Sequence, residues 1–216
     1  ALVLSMLEEV AWTLNLRSSD VEYTPFMLGY ALITPQRTLL YISKEKLTAE
    51  IEEYLKEEGV ETRPYEAIAD DLRTLDIPVI AQPSKTNHAV YSAIKHPLRM
   101  ESPVSRMLIF KNATEIKGYR RAMEKDGVAM VKWIKWTMEN VPKGGQTELS
   151  LSAKLEAFRA EQPLFKGLSF ESIMGYAHHG AIVHYDPTPE TDIPVKSEGL
   201  LLIDSGGQYL DGTTDI

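Results

Sequence analysis

Residues 1 to about 101 alternate short apolar runs with amphipathic stretches. Leu2-Val-Leu4 predicts a strand and Leu7 to Leu14 a short helix or turn. Tyr30-Ala-Leu-Ile33 and Thr38-Leu-Leu-Tyr-Ile42 read as two strands joined around Pro35. Ala49 to Glu58 places Ile51, Tyr54 and Leu55 on one helical face, with Gly59 as its stop. Glu66 to Leu75 predicts another short helix, Pro78-Val-Ile-Ala81 a strand, and Asn87 to Ile94 one more helix. Strands alternating with helices imply an α/β layer arrangement. Pro97 to Pro103 is polar and bounded by prolines, so the expected domains are 1–103 and 104–216.

Beyond that stretch the pattern lengthens. Asn112-Ala-Thr-Glu115 has the form of a capping box opening a long helix. Ile116, Tyr119, Met123, Met130, Ile134, Met138 and Val141 follow helical spacing, with Trp133 and Trp136 as packing residues beside the stripe. Pro142-Lys-Gly-Gly145 ends this helix. Thr147 then caps a second one running to about Gln162, with Leu151, Leu155 and Phe158 facing inward. Strands are predicted at Phe170–Ile173, Ala181–Val183 and Leu200–Ile203.

The last of these carries the candidate chemistry. Leu200 to Ile203 reads as a buried strand that delivers Asp204 from the interior. Asp211-Gly212 is a strong hairpin signal, because a two-residue primed turn needs positive φ at both central positions. With those residues as the turn, Gln208 faces Asp215, and Asp204, Gly206, Gln208 and Asp215 share one face. The two carboxylates then stand roughly 13 Å apart along a straight ribbon, unless a bend at Gly206-Gly207 brings them closer. Adjacent carboxylates repel, and a divalent cation supplies the partner they lack. On spacing alone, a solvated Asp/Gly-rich surface hairpin remains an equal alternative.

Histidines add little by themselves. His184 follows Ala181-Ile-Val183 and reads first as a side chain hydrogen-bonded at a strand end. His178 and His179 are neighbours, so from an extended strand they point to opposite faces and cannot share one ion. His88 and His96 have no ligand spacing with another histidine or acid, and no role is assigned to them.

Composition narrows the classes. The 216 residues are 44% hydrophobic and 25% charged, ordinary for a folded chain of one large or two small domains. No apolar run approaches the length of a membrane span. The net charge of −8 argues against a nucleic-acid partner, which needs a basic surface. Without cysteine there is neither disulfide nor thiolate metal site, and nothing suggests secretion. The chain opens on a strand and closes in mid-strand at Ile216, which predicts a piece of a longer polypeptide.

Three motifs together resemble a known family. Asp204-Ser-Gly-Gly-Gln-Tyr-Leu-Asp211-Gly-Thr-Thr-Asp215 is similar to the segment holding the first two metal ligands of the pita-bread metallopeptidases. Gly180-Ala-Ile-Val-His184-Tyr-Asp-Pro187-Thr-Pro-Glu-Thr191 resembles the corresponding histidine segment of the Xaa-Pro aminopeptidase (aminopeptidase P) family, multidomain cytosolic type. The likeness continues through Val141-Pro-Lys-Gly-Gly-Gln-Thr-Glu148 and back to Ala11-Trp-Thr-Leu-Asn-Leu-Arg17.

The resemblance implies an incomplete creatinase N-terminal-like α/β domain over 1–103, then the first half of an α+β pita-bread catalytic domain over 104–216. It implies Asp204 and Asp215 as metal ligands and His184 beside the metals, contacting substrate or shuttling a proton. Two divalent ions, Mn²⁺ first among them, would activate a water and polarise the scissile carbonyl. The substrates would be peptides with proline in second position, and the full-length protein a cytoplasmic homodimer without nucleic-acid or membrane partners. The family's other three ligands, one His and two Glu, belong beyond Ile216. The 216 residues alone are therefore expected to be inactive, to bind metal weakly, and to expose an apolar surface. Competing readings are a prolidase acting on dipeptides, a non-catalytic peptidase-like binding module of the kind found in histone chaperones, and an actin-like ATPase. The last would need neither His184-Tyr185 nor Asp215.

Overall fold

The computed structural model describes residues 1–216 throughout, and they divide into two units, Ala1–Phe110 and Lys111–Ile216. In the first, β1 (Leu2–Leu4), β2 (Gly29–Ile33), β3 (Thr38–Ile42), β4 (Val60–Pro64), β5 (Val79–Ala81) and β6 (Pro97–Arg99) form one sheet, in the order β4-β3-β2-β1-β5-β6. The central pairs β1–β2 and β2–β3 are antiparallel, and β4, β5 and β6 each join in parallel. Helices α1 (Leu7–Leu14), α2 (Ala49–Glu57), α3 (Ile68–Thr74), α4 (His88–Ser92) and α5 (Pro103–Ile109) cover both faces.

Alternating side chains explain the two layers. Val3, Leu32, Leu39 and Tyr41 pack with Ile68, Leu72 and Val90 from α3 and α4. Their neighbours Leu4, Ala31, Leu40 and Ile42 pack on the other side with Val10, Leu14, Leu55 and Val104 from α1, α2 and α5. With both faces buried, β1, β2, β3 and β5 are continuous apolar runs, as expected for strands covered on both sides. The Thr48 side chain accepts from Ile51 N at 3.3 Å to start α2, and Gly59 ends it at a φ of +69°. The proline-bounded stretch 97–103 lies inside this unit. Pro97–Arg99 pairs with β5, α5 sends Val104 into the core, and the division comes after Phe110.

The second unit starts with α6 (Ala113–Asn140) and α7 (Glu148–Ala160), each opened by a capping box, Asn112 with Glu115 and Thr147 with Ser150. Strands β7 (Phe165–Leu168), β8 (Ile173–Tyr176), β9 (Leu201–Asp204), β10 (Gly207–Tyr209) and β11 (Gly212–Thr213) follow. β8 pairs antiparallel with β9, and β10 lies antiparallel between β7 and β11. Trp133, Leu151, Leu155, Met174 and Tyr176 form the core, and Trp133 Nε1 donates to the Leu151 carbonyl at 2.8 Å.

Residues 170–172, expected in a strand, lie between β7 and β8, and of that expected strand only Ile173 belongs to β8. Most of the apolar stripe of α6 faces outward: Ile116, Tyr119, Met123, Ile134 and Met138 are exposed, Met130 and Val141 pack on the core, and Ala122, Asp126, Ala129 and Trp133 are buried. The N-terminal half of α6 presents small groups at Gly118 and Ala122 because it lies against the β10–β11 turn. A Cβ at Gly118 would stand 2.2 Å from the Asp211 carbonyl oxygen. Ala181–Val183 is not a strand. The chain instead leaves β8 through a 3₁₀ turn over Ala177–Ala181, and Ile182 and Val183 are 51% and 84% exposed.

Candidate metal centre

β9 is not the buried strand expected: Leu201 and Ile203 pack on the core, Leu200 and Leu202 are exposed, and Asp204 stands at its end, opposite Ile173 of β8. The hairpin that follows differs from expectation by one residue. Gln208 pairs with Thr213 and Tyr209 with Gly212, so Leu210 and Asp211 occupy the turn. None of residues 210–212 has positive φ, so the primed turn read from Asp-Gly does not form. Tertiary contacts explain the difference. Lys125 holds the Asp211 carboxylate at 2.5 Å, and a Cβ at Gly212 would stand 3.1 Å from Ala122 and Tyr119 of α6.

This register brings the two carboxylates together. Ser205 N donates to Ile216 O and Ile216 N to Ser205 O, both at 2.9 Å, which places Asp215 opposite Gly206. Asp204 and Asp215 are thus diagonal neighbours on one face, with Cα atoms about 7–8 Å apart, where the expected register gave roughly 13 Å. Gly206 permits the close approach: a Cβ there would meet Ser169 Oγ and Thr214 O, each at 2.1 Å.

Both aspartates line one cavity of about 420 Å³, together with Phe170, Glu171, Ile173, His184, Tyr185 and Asp186. Asp204 is half-buried and Asp215 exposed. Neither carboxylate forms an ion pair or hydrogen bond with the protein, whereas Asp211 on the same hairpin is paired with Lys125. Two neighbouring carboxylates left without a protein cation fit a divalent ion in an oxygen-rich site. The fit is that of half a site, because no three His, Cys, Asp or Glu side chains converge on one point.

His184 reaches the cavity rim from a turn, exposed and with φ +53°, a left-handed conformation in which histidine is over-represented among non-glycine residues. Its segment is anchored by a residue whose role no sequence pattern marks. Glu148, fully buried at the first position of α7, accepts from Tyr176 N at 2.7 Å and from Tyr185 OH at 3.1 Å, and both its oxygens lie 3.0 Å from His179 Nδ1. Burial, opposed by the contact with Thr191 and reinforced by Glu148, pushes the Tyr185 hydroxyl pKa up, so it stays a donor. His178 and His179 sit on the 3₁₀ turn and not on an extended strand, so the alternation expected of them does not apply. His179 is buried on Glu148, and its ring lies 4.4 Å from that of Tyr185.

Residues 1–115 match the creatinase/prolidase N-terminal domain, and residues 117–216 match metallopeptidase family M24. The chain belongs to the creatinase/prolidase family. Its relatives within the family include the probable Xaa-Pro aminopeptidase P of Laccaria bicolor, 41% identical over 226 residues that take in all of this chain and 35% of that protein. Aminopeptidase P2 of Arabidopsis thaliana is 34% identical, with the same coverage. The crystal structure of X-prolyl aminopeptidase from Caenorhabditis elegans, described as a cytosolic enzyme with a di-nuclear active site, superposes with a TM-score of 0.93 at 27% identity. It covers 99% of this chain and 37% of that one. The Xaa-Pro dipeptidase from Bacillus anthracis shares the fold, with a TM-score of 0.74 at 17% identity, covering 99% and 58%. This creatinase/prolidase chain spans about a third of the length of the curated relatives it matches. Its first unit is thus a creatinase N-terminal domain, and its second the start of a pita-bread domain.

Proposed function

We propose that the chain supplies Asp204 and Asp215, the first two metal-binding carboxylates of a Xaa-Pro aminopeptidase that removes the N-terminal residue from peptides with proline in second position. One observation carries the reading: two carboxylates without protein partners, on adjacent strands, face a cavity whose rim bears His184. Two divalent ions there, Mn²⁺ by the hardness of the oxygen ligands, would supply an activated water and a Lewis acid. Asp204 and Asp215 hold charge, His184 contacts substrate or carries a proton, and the acidic lining suits a cationic amino terminus. Phe170 and Ile173 give the cavity an apolar wall against which a substrate side chain can pack.

A cytoplasmic location is supported by the C. elegans relative, described as cytosolic. Homodimer formation rests on the family resemblance. The net charge of −8 weighs against nucleic acid, and no helix is long and apolar enough to cross a membrane.

The test is hydrolysis of Xaa-Pro peptides by a protein extended to the relatives' length and loaded with Mn²⁺. Asp204→Asn or Asp215→Asn should lower kcat about a thousandfold or more. The 216 residues alone should cleave nothing. Full activity in chelator, or in the Asp204→Asn variant, overturns the reading, and cleavage confined to dipeptides would mark a prolidase.

A further inference from the structure

Behind the two aspartates lies a buried ion pair that touches both of their strands. Asp126 of α6 and Arg159 of α7 are each 0% exposed. Asp126 Oδ1 accepts from Arg159 Nε at 2.6 Å and from Tyr209 OH at 3.1 Å. Its Oδ2 accepts from Arg159 Nη2 at 3.1 Å and from Thr214 Oγ1 at 2.7 Å. Arg159 Nη2 also donates to Ser205 Oγ at 3.0 Å. Ser205 directly follows Asp204, and Thr214 directly precedes Asp215.

Alternation along the strands gives this arrangement its meaning. Ser205 and Thr214 point toward the helices, so Asp204 and Asp215 point the opposite way, into the cavity. The Thr214 hydroxyl also accepts from Gly207 N at 2.9 Å, which ties the two strands to each other as well as to Asp126. An ion pair with no solvent exposure is weak evidence for stability, since apolar residues of similar volume often replace one at no loss. Here Arg159 Nη1 is even left without a partner. The pair is better matched to fixing a geometry than to holding the unit together.

We propose that Asp126 and Arg159 are positioning residues: gripping Ser205 and Thr214 from behind, they set the separation of the Asp204 and Asp215 carboxylates and hence their affinity for a divalent cation. The proposal rests on the metal reading above. It also accounts for a charged pair in the seam between α6 and α7, a place where packing alone asks for apolar side chains.

The experiment titrates Mn²⁺ into this chain and follows paramagnetic broadening of the amide signals of residues 204–206 and 214–216, with a thermal melt of each variant. Asp126→Leu/Arg159→Met removes the pair at similar volume. Thr214→Val and Ser205→Ala leave the pair in place and cut its hold on the strands. The expected result is a rise of about tenfold in the half-broadening Mn²⁺ concentration, the effect of one lost hydrogen bond of positioning, even where the melting midpoint matches the parent chain. A double variant that folds and binds Mn²⁺ like the parent overturns the proposal. Should the double variant fail to fold, unchanged affinity in Thr214→Val overturns it. Parent broadening that survives both Asp204→Asn and Asp215→Asn removes the metal reading and the proposal together, whereas unchanged affinity in Thr214→Val removes the proposal alone.

Discussion

Glu148→Ala should destabilise the second unit more than any change on its surface. The carboxylate sits in the first turn of α7, where the helix dipole favours it, and it is the shared acceptor for Tyr176 N, Tyr185 OH and His179. Hydrogen bonds to a charged acceptor contribute about 1.5–3 kcal/mol each, but three on one group are not additive. Truncation also leaves the Tyr176 amide buried without an acceptor. The nearest precedent, removing one partner of a buried charged pair, costs about 3–5 kcal/mol, and we take that range. For a unit of this size, about 4 °C per kcal/mol gives a fall of about 12–20 °C in melting midpoint. In a Trp12→Phe background the fluorescence of Trp133 and Trp136 reports this unit, and hydrogen exchange should show lost protection at the Tyr176 amide. Glu148→Gln keeps one acceptor oxygen and should lose less than half as much. A Glu148→Ala midpoint within about 4 °C of the parent, roughly 1 kcal/mol, would refute the anchoring role of Glu148.

Two other perturbations follow from the same contacts. Gly206→Ala places a methyl 2.1 Å from a backbone carbonyl, so the strands must part. The expected loss is about 3 kcal/mol, the upper end for overpacking, seen as a lowered urea midpoint with the Asp215 amide signal displaced. In the first unit, burial raises the Asp71 pKa, but hydrogen bonds from Arg63 at 2.9 and 3.0 Å and from Tyr41 at 2.9 Å outweigh it and hold it below the usual value. A depressed carboxylate contributes stability that is present above its unfolded pKa and lost as pH falls through the folded one. The first unit should therefore weaken on acidification below roughly pH 4, and Asp71→Asn should flatten that limb. Identical acid slopes in urea titrations of the two proteins would contradict it.

The apolar runs made most of the first unit legible, because a sheet buried on both faces writes itself as continuous hydrophobic sequence. β1, α1 and β3 lie where the pattern puts them. β4 and β6 do not show, since Val60–Pro64 and Pro97–Arg99 join the sheet through backbone bonds with largely exposed side chains. The motifs single out Asp204, Asp215 and His184, and the three line one cavity. What escaped was their support. Asp126 interrupts the hydrophobic seam of α6, and Glu148 looks like an ordinary first-turn acid, so periodicity gives neither a buried role. The Asp211-Gly212 turn failed for a related reason: Lys125 and the close passage at Gly118 select a register that local propensity does not favour.

The most direct measurement is an anomalous-scattering map at the manganese edge from crystals of this chain soaked in millimolar Mn²⁺. The expected result is a peak between the Asp204 and Asp215 carboxylates, weakly held because two carboxylates leave most of the coordination to water. Carboxylates turned away from each other, or manganese found only elsewhere, would contradict it.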